Sequence, residues 1–451
     1  MSGASVLRKL RAAAGRFIGA REGNIAVIFA LSAVPTISFV GVAIDYPRAN
    51  AARTAMQAAL DSTALMLSKD LSYGTINSSQ ISTKATEYFN ALYNNKDAKN
   101  VSIAATYTAA TGGTPNKIEI NGSGQITTDF MRVAGFPEMG FGTASTTAWG
   151  NVRMRVALVL DVTGSMAWDG KMPAMQTAAK DLVEQLSKLA VVNGDIYISI
   201  VPFSKDVNMG ASYYNATWID WTDWEAVNGT CSSTTYKKKS TCEGNGKVWT
   251  PKNHNTWTGC FTDRTQDYDT KNTTPTTSNT ATLFPAEQYS YCSTSSSAYL
   301  PPIMPLSYDW TALKAKIDAL EPTGNTNQGI GLAWGWMTLT QSDPFNAPAK
   351  EAGYVYKDAV VLLSDGLNTQ NRWHSSASPI DARQKILCDN AKSANITLYT
   401  IQVNTGGDPT SSVLQYCATS ANNFYLVTSA SQTASVFKDI ATKLTMLRVA
   451  K

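Results

Sequence analysis

The sequence predicts an α/β fold: a doubly wound, mostly parallel sheet, preceded by a transmembrane helix and a small α+β domain. Three observations carry this. From Met154 onward, short apolar runs alternate with stretches of helical periodicity, the pattern of a parallel sheet covered by helices on both faces. Oxygen-rich turns directly follow two of those runs, at Asp161-Val162-Thr163-Gly164-Ser165 and Ser364-Asp365-Gly366. A charge-free segment, Ile25 to Ile44, follows a basic flank. The 451 residues are enough for two or three domains. The expected division is a basic tail at 1–23, a membrane helix at 24–46, a helical stalk with a small α+β domain at 47–150, and the α/β domain at 151–451.

The apolar segment spans about 30 Å as a helix of about 20 residues, the thickness of a bilayer core. Arg8, Lys9, Arg11, Arg16 and Arg21 precede it, so the positive-inside rule places the N-terminus in the cytoplasm and everything after residue 46 across the membrane. The run is longer than the apolar core of a cleaved signal peptide, roughly 7 to 15 residues. Pro47 stands early in a helix-like stretch, where proline is tolerated. Ala51, Ala55, Ala58, Ala59, Ser62, Leu65 and Met66 keep helical spacing, so the helix should continue to about Lys69. Tyr73-Gly74 and Asn77-Ser78-Ser79 break it. A second helix follows near 81–95. Short strands are expected at Val101–Tyr107 and Ile118–Ile126, joined by the turn Thr111-Gly112-Gly113-Thr114-Pro115.

In the α/β domain the strand candidates are Val156–Leu160, Ile196–Val201, Ala359–Leu363 and Thr397–Val403. The helix candidates are Pro173–Leu189, Trp310–Leu320, Ile330–Thr340, Pro379–Ala394, Ser411–Ala418 and Thr433–Leu447. Residues 205–300 interrupt the alternation. They are rich in Thr, Ser, Asn and Tyr, and hold Trp218, Trp221, Trp224, Trp249 and Trp257. So long a structureless loop would be unusual, and the segment reads as a disulfide-stapled insertion whose aromatics form a small core of its own. Its cysteines, Cys231, Cys242, Cys260 and Cys292, are even in number, with their pairing open. Cys388 and Cys417 fall in consecutive helices and should pair. No Cys-x-x-Cys spacing points to zinc, and even groups fit an oxidising compartment. The net charge of +4 leaves no nucleic-acid footprint.

Taken alone, Asp161, Thr163 and Ser165 are also ordinary helix-capping residues. Two further turns tip the balance: Gly324-Asn325-Thr326-Asn327 and Ser364-Asp365-Gly366. Asp161, Thr163, Ser165, Thr326 and Asp365 would converge at the carboxyl edge of the sheet, where open α/β sheets bind ligands. Two carboxylates and three hydroxyls, completed by water, suit Mg2+ or Mn2+.

The order Asp-x-Thr-x-Ser, Gly-x-Thr and Leu-Ser-Asp-Gly resembles the metal-ion-dependent adhesion site of von Willebrand factor type A domains, with Thr163 in place of the usual Ser. The resemblance covers about 155–204 and 300–447. It implies that Asp161, Thr163, Ser165, Thr326 and Asp365 hold the ion directly or through water. It also implies an open coordination position that accepts an acidic residue of a protein partner. Arg21-Glu22-Gly23-Asn24-Ile25-Ala26-Val27-Ile28-Phe29-Ala30-Leu31, then Gly41-Val42-Ala43-Ile44-Asp45-Tyr46 and the Ala-rich helix, resembles the N-terminal region of TadG-type proteins of bacterial Tad (Flp) pilus assembly. The stretch from Gly324 to Trp336 resembles that family too. Related minor pilins are trimmed after a Gly and carry Glu five residues later; here Ile28 stands at that distance from Gly23, and Glu22 precedes it. The resemblance implies a bacterial inner-membrane protein with periplasmic or extracellular domains and a pilus subunit or assembly component as partner.

Enzymatic readings find little support. Gly164 to Lys171 approximates a P-loop, but the spacing is one residue too long and Met172 replaces the required Ser or Thr. No Gly-x-Ser-x-Gly surrounds Ser165. His254 and His374 have no visible nucleophile partner. The expectation is a non-enzymatic assembly or adhesion protein. The alternatives are a structural envelope anchor with a non-bridging metal, or an enzyme with its site around His254 in the insertion.

Overall fold

A computed structural model describes residues 24–449, apart from 73, 112–113, 150–151, 191, 297–298 and 353. The expected basic tail at 1–23 lies outside the described residues. The chain divides into two compact units after Trp149.

The first unit begins with one long helix, α1 (Asn24–Ser72), followed by α2 (Ile81–Leu92) and an antiparallel sheet of β1 (Ala98–Thr108), β2 (Asn116–Thr127) and β3 (Glu138–Trp149). Pro35 and Pro47 both lie inside α1, so Pro47 sits in a helix interior rather than early in a helix. Each proline removes one helical hydrogen bond. Around Pro35 nearby hydroxyls bond to the helix's own carbonyls: Thr36 to Ser32 and Ser38 to Val34. The first half of α1 exposes Ile25, Phe29, Leu31, Phe39 and Val42, and its 18-residue apolar window has a mean hydropathy of 2.3. The second half buries Met56, Leu60, Ala64 and Leu67 against Ile118, Ile120, Trp149 and Phe89. β3 has no counterpart among the expected strands. Its Gly140, Gly142 and small residues carry little apolar alternation, and it forms because β2 offers it a full-length partner.

The second unit is built on a ten-stranded sheet. Its parallel part runs β15 (Phe424–Val427), β14 (Thr397–Val403), β13 (Val355–Ser364), β4 (Val152–Asp161) and β5 (Ile196–Phe203). The four expected strands are present, and β15 adds a short edge. Residues alternate between two cores, as a sheet period of two requires. Val156, Leu158, Leu160, Val361 and Leu363 face α3 (Lys171–Ser187), α6 (Trp310–Asp318) and α10 (Thr433–Val449). Ala157, Val159, Val360 and Leu362 face α7 (Gln328–Thr338), α8 (Ala377–Ser393) and α9 (Ser412–Cys417). Helices on both faces make the unit a doubly wound α/β fold.

The segment at 205–300 does not stand apart. Its strands β6 (Val207–Asn208), β7 (Ile219–Asp220), β10 (Cys260–Phe261) and β11 (Phe284–Glu287) extend the same sheet beyond β5, and β12 (Met304–Ser307) pairs antiparallel with β5. A small hairpin of β8 (Gly229–Cys231) and β9 (Trp249–Pro251), with the short helices α4 (Thr222–Val227) and α5 (Lys239–Gly244), lies outside it. Nor do the aromatics form a core of their own. Trp218, Trp224, Trp257, Phe261 and Phe284 join Trp334 of α7 in the main core, with Phe261 stacked on Trp334 at 5.2 Å. Three disulfides link Cys231–Cys242, Cys260–Cys292 and Cys388–Cys417.

Candidate metal site at the carboxyl edge of the sheet

From the central strand β4 the chain passes first to β5 on one side and later to β13 on the other. The crevice between β4 and β13 is therefore a topological switch point, where open α/β sheets bind ligands. Asp161 ends β4 and Asp365 follows β13 directly.

Asp161 is fully buried. Its Oδ1 accepts the Thr163 N–H at 2.8 Å, and its Oδ2 accepts the Ser364 hydroxyl at 2.6 Å. The Thr163 and Ser165 hydroxyls stand 3.1 Å apart, and Ser165 Oγ donates to Asp365 Oδ1 at 2.7 Å. A continuous chain of oxygens thus joins the two loops. Burial, and secondarily the Asp365 charge, hold the Asp161 carboxyl above the usual carboxylate range. A cation beside these two buried carboxylates offsets the cost of burying their charge.

Lys171 supplies one. This first residue of α3 is buried, and its Nζ donates to Asp365 Oδ2 at 2.7 Å and to the Ser165 carbonyl at 3.4 Å. The sequence offered Lys171 only as a failed P-loop lysine. A lysine six positions beyond Ser165 was the available signal, but it does not say which carboxylate the ammonium reaches.

Thr326 enters the same edge through the backbone. Gly164 N–H donates to the Gly324 carbonyl at 3.0 Å, and Thr323 N–H to the Val162 carbonyl at 2.6 Å. Thr326 itself is held by Thr369, whose hydroxyl accepts its N–H at 2.8 Å. Thr326 has no hydrogen bond to the other four residues, so four of the five candidates are directly linked and the fifth is carried beside them. Behind them, the Gln328 side chain donates to Ser364 Oγ at 3.1 Å and to the Gly366 carbonyl at 2.9 Å. Asn327 caps α7 and also donates to the buried carboxylate of Asp263. These amides fix the loops that carry the donors.

Among the described residues no three His, Cys, Asp or Glu side chains are grouped to hold a metal. A cation here would rely on two carboxylates and neighbouring hydroxyls, the hard oxygen set that Mg2+ and Mn2+ accept. His254 is elsewhere: it stacks on Trp221 at 3.8 Å and pairs with Glu225 Oε1 at 2.9 Å. His374 takes part through its backbone N–H, which donates to Asn371.

Residues 23–66 match the family model described as putative Flp pilus-assembly TadE/G-like. After helix α1 comes a doubly wound α/β domain with a mostly parallel sheet. Among solved structures, the chain is similar to the von Willebrand factor domain of the type V pili tip protein Mfa5 of Porphyromonas gingivalis, at 11% identity and a TM-score of 0.37, covering 66% of this chain and 96% of that one. It is also similar to the pilus adhesin SpaC of Lactobacillus rhamnosus GG, at 12% identity and a TM-score of 0.37, covering 79% and 36%. A third is proximal thread matrix protein 1 of the mussel byssus with a zinc-occupied MIDAS motif, at 15% identity and a TM-score of 0.32, covering 66% and 46%. The chain spans under half the length of the last two. No curated protein matches it.

Proposed function

We propose that this protein is a single-pass, membrane-anchored component of bacterial Flp pilus assembly or adhesion. Its type A-like domain binds Mg2+ or Mn2+ and uses the ion to hold a protein partner. Asp161, Thr163, Ser165, Thr326 and Asp365 hold the ion directly or through water. The ion supplies an open position that an acidic residue of a pilus subunit or assembly component completes. The observation that carries this is the oxygen chain from Thr163 through Ser165 to Asp365, beside the buried Asp161, at the switch point of the sheet. An acidic side chain that completes a metal shell escapes the cost of burying an unpaired charge, so the contact is selective. Trp168 is 70% exposed just beyond Ser165 and offers such a partner an apolar contact. We read the role as binding rather than catalysis, with His254 held by its stack on Trp221 and its pair with Glu225. The apolar half of α1 crosses the inner membrane with the N-terminus in the cytoplasm, and the folded units lie on the far side.

The test is direct titration of the full chain in detergent with Mn2+, followed by electron paramagnetic resonance. Asp161→Asn and Asp365→Asn should each weaken Mn2+ binding on the order of tenfold or more. Unchanged binding in both variants, with folding intact by circular dichroism, sinks the metal site.

A further inference from the structure

We propose that the turn at 129–137 of the first unit is a second membrane contact, which dips its apolar side chains into the outer edge of the lipid beside α1. This rests on the reading that α1 crosses the bilayer.

The turn joins β2 to β3 and includes a short helical turn, Met131–Ala134. Its sequence, Asp129-Phe130-Met131-Arg132-Val133-Ala134-Gly135-Phe136-Pro137, is apolar at most positions. Val133 and Phe136 are 58% and 60% exposed, and Phe130 38%. Clustered exposed apolar side chains in an otherwise packed unit mark an interaction surface.

The place of the turn along α1 names the occupant. Asp45, the first charged residue after the apolar run, is fully buried and accepts three backbone N–H groups of the turn: Asp129 at 3.1 Å, Phe130 at 3.1 Å and Met131 at 2.9 Å. Arg48 pairs with Asp129 at 2.6 Å. One turn of helix earlier, Gly41 packs so closely that a Cβ there would lie 3.1 Å from Phe130 Cβ and Met131 Cγ. Gly41 precedes Ile44 by three residues, about 4.5 Å along a helix. Phe130 and Met131 are thus level with the last apolar turn of α1, not beyond it.

If Ile25–Ile44 fills the hydrocarbon, the turn occupies its outermost layer. The charges then sort themselves. Asp129 is paired with Arg48. Arg132 is exposed and can reach lipid phosphates, while Glu138 stands just past the turn at the start of β3. Tyr46, also exposed, lies at the depth where aromatic side chains favour the membrane–water boundary. A shallow wedge beside a spanning helix would set the tilt and height of the first unit over the bilayer.

The full chain is reconstituted in phosphatidylcholine–phosphatidylglycerol vesicles with the fluorophore NBD on one added cysteine at a time. All six native cysteines are disulfide-bonded, so the added thiol is labelled selectively. The positions are Phe39, Val133, Phe136 and, as a remote control, Thr83 on α2. Brominated lipids should quench emission from Phe39, Val133 and Phe136 but not Thr83. The two turn positions should respond most to bromines near the headgroups. Quenching at Phe39 with Val133 and Phe136 matching Thr83 overturns the membrane contact while leaving the anchor intact. No quenching at Phe39 removes the spanning reading and this inference with it.

Discussion

Lys171 carries the charge balance at the residue scale. Its ammonium, 2.7 Å from Asp365 Oδ2, stabilises a carboxylate that would otherwise be buried unpaired beside Asp161. A divalent cation bound to the same carboxylate would compete for that interaction. Lys171→Met should therefore do two opposite things. Without metal it should lower the melting temperature, because losing one partner of a buried pair costs about 3–5 kcal/mol. With Mg2+ or Mn2+ it should show a larger metal-dependent rise in melting temperature than the native chain, since ligand stabilisation grows with affinity. Thermal scans with and without metal check both; an unaltered metal-dependent rise excludes competition. Asp161, Thr163, Ser165 and Asp365 were legible from the sequence because chemistry and strand position coincide there. Lys171, Ser364 and Gln328 were not, because their roles depend on which carboxylate or carbonyl each side chain reaches across the fold.

Among the elements, α7 shows how close packing positions the site. The Asn327 cap places its N-terminus at the sheet edge, and Gly331 and Gly335 let it lie directly on β4 and β5. A Cβ at Gly331 would come within 2.6 Å of the Phe203 ring, and one at Gly335 would collide with Val159. Gly335→Ala sets two effects against each other. Alanine favours helix by up to about 1 kcal/mol, while overpacking a core costs about 1–3 kcal/mol. The clash should win, lowering the midpoint of chemical denaturation; a raised midpoint would show that α7 can move off the sheet freely. The main helices and central strands were readable because their apolar periods are long and regular. The third strand of the first unit and the sheet extension at 205–300 were not. Strands of two to four residues carry no period, and β3 is decided by pairing with β2.

At the scale of the whole molecule, the disulfides and the apolar helix bear on the same question. Cys388–Cys417 closes a loop of 29 residues in sequence separation, worth about 3–4 kcal/mol in the chain-entropy model, and persists only where thiols are oxidised. An alkaline phosphatase reporter fused after residue 451 should therefore be active in bacterial cells, and the chain should migrate faster without reductant than with it. A reporter active only in its cytoplasmic form would reverse the orientation. Local sequence alone determined the membrane-length helix, the alternation of buried strands and helices, and the oxygen-bearing turns, since hydrophobic period and turn chemistry act over a few residues. Only tertiary structure decided the rest: that residues 205–300 extend the main sheet, that their aromatics share its core, that Lys171 neutralises Asp365, and that Asp45 clamps a distant turn to α1. Those pairings join residues tens to hundreds of positions apart, and nothing in a local window records which distant group will satisfy a buried charge or an open strand edge.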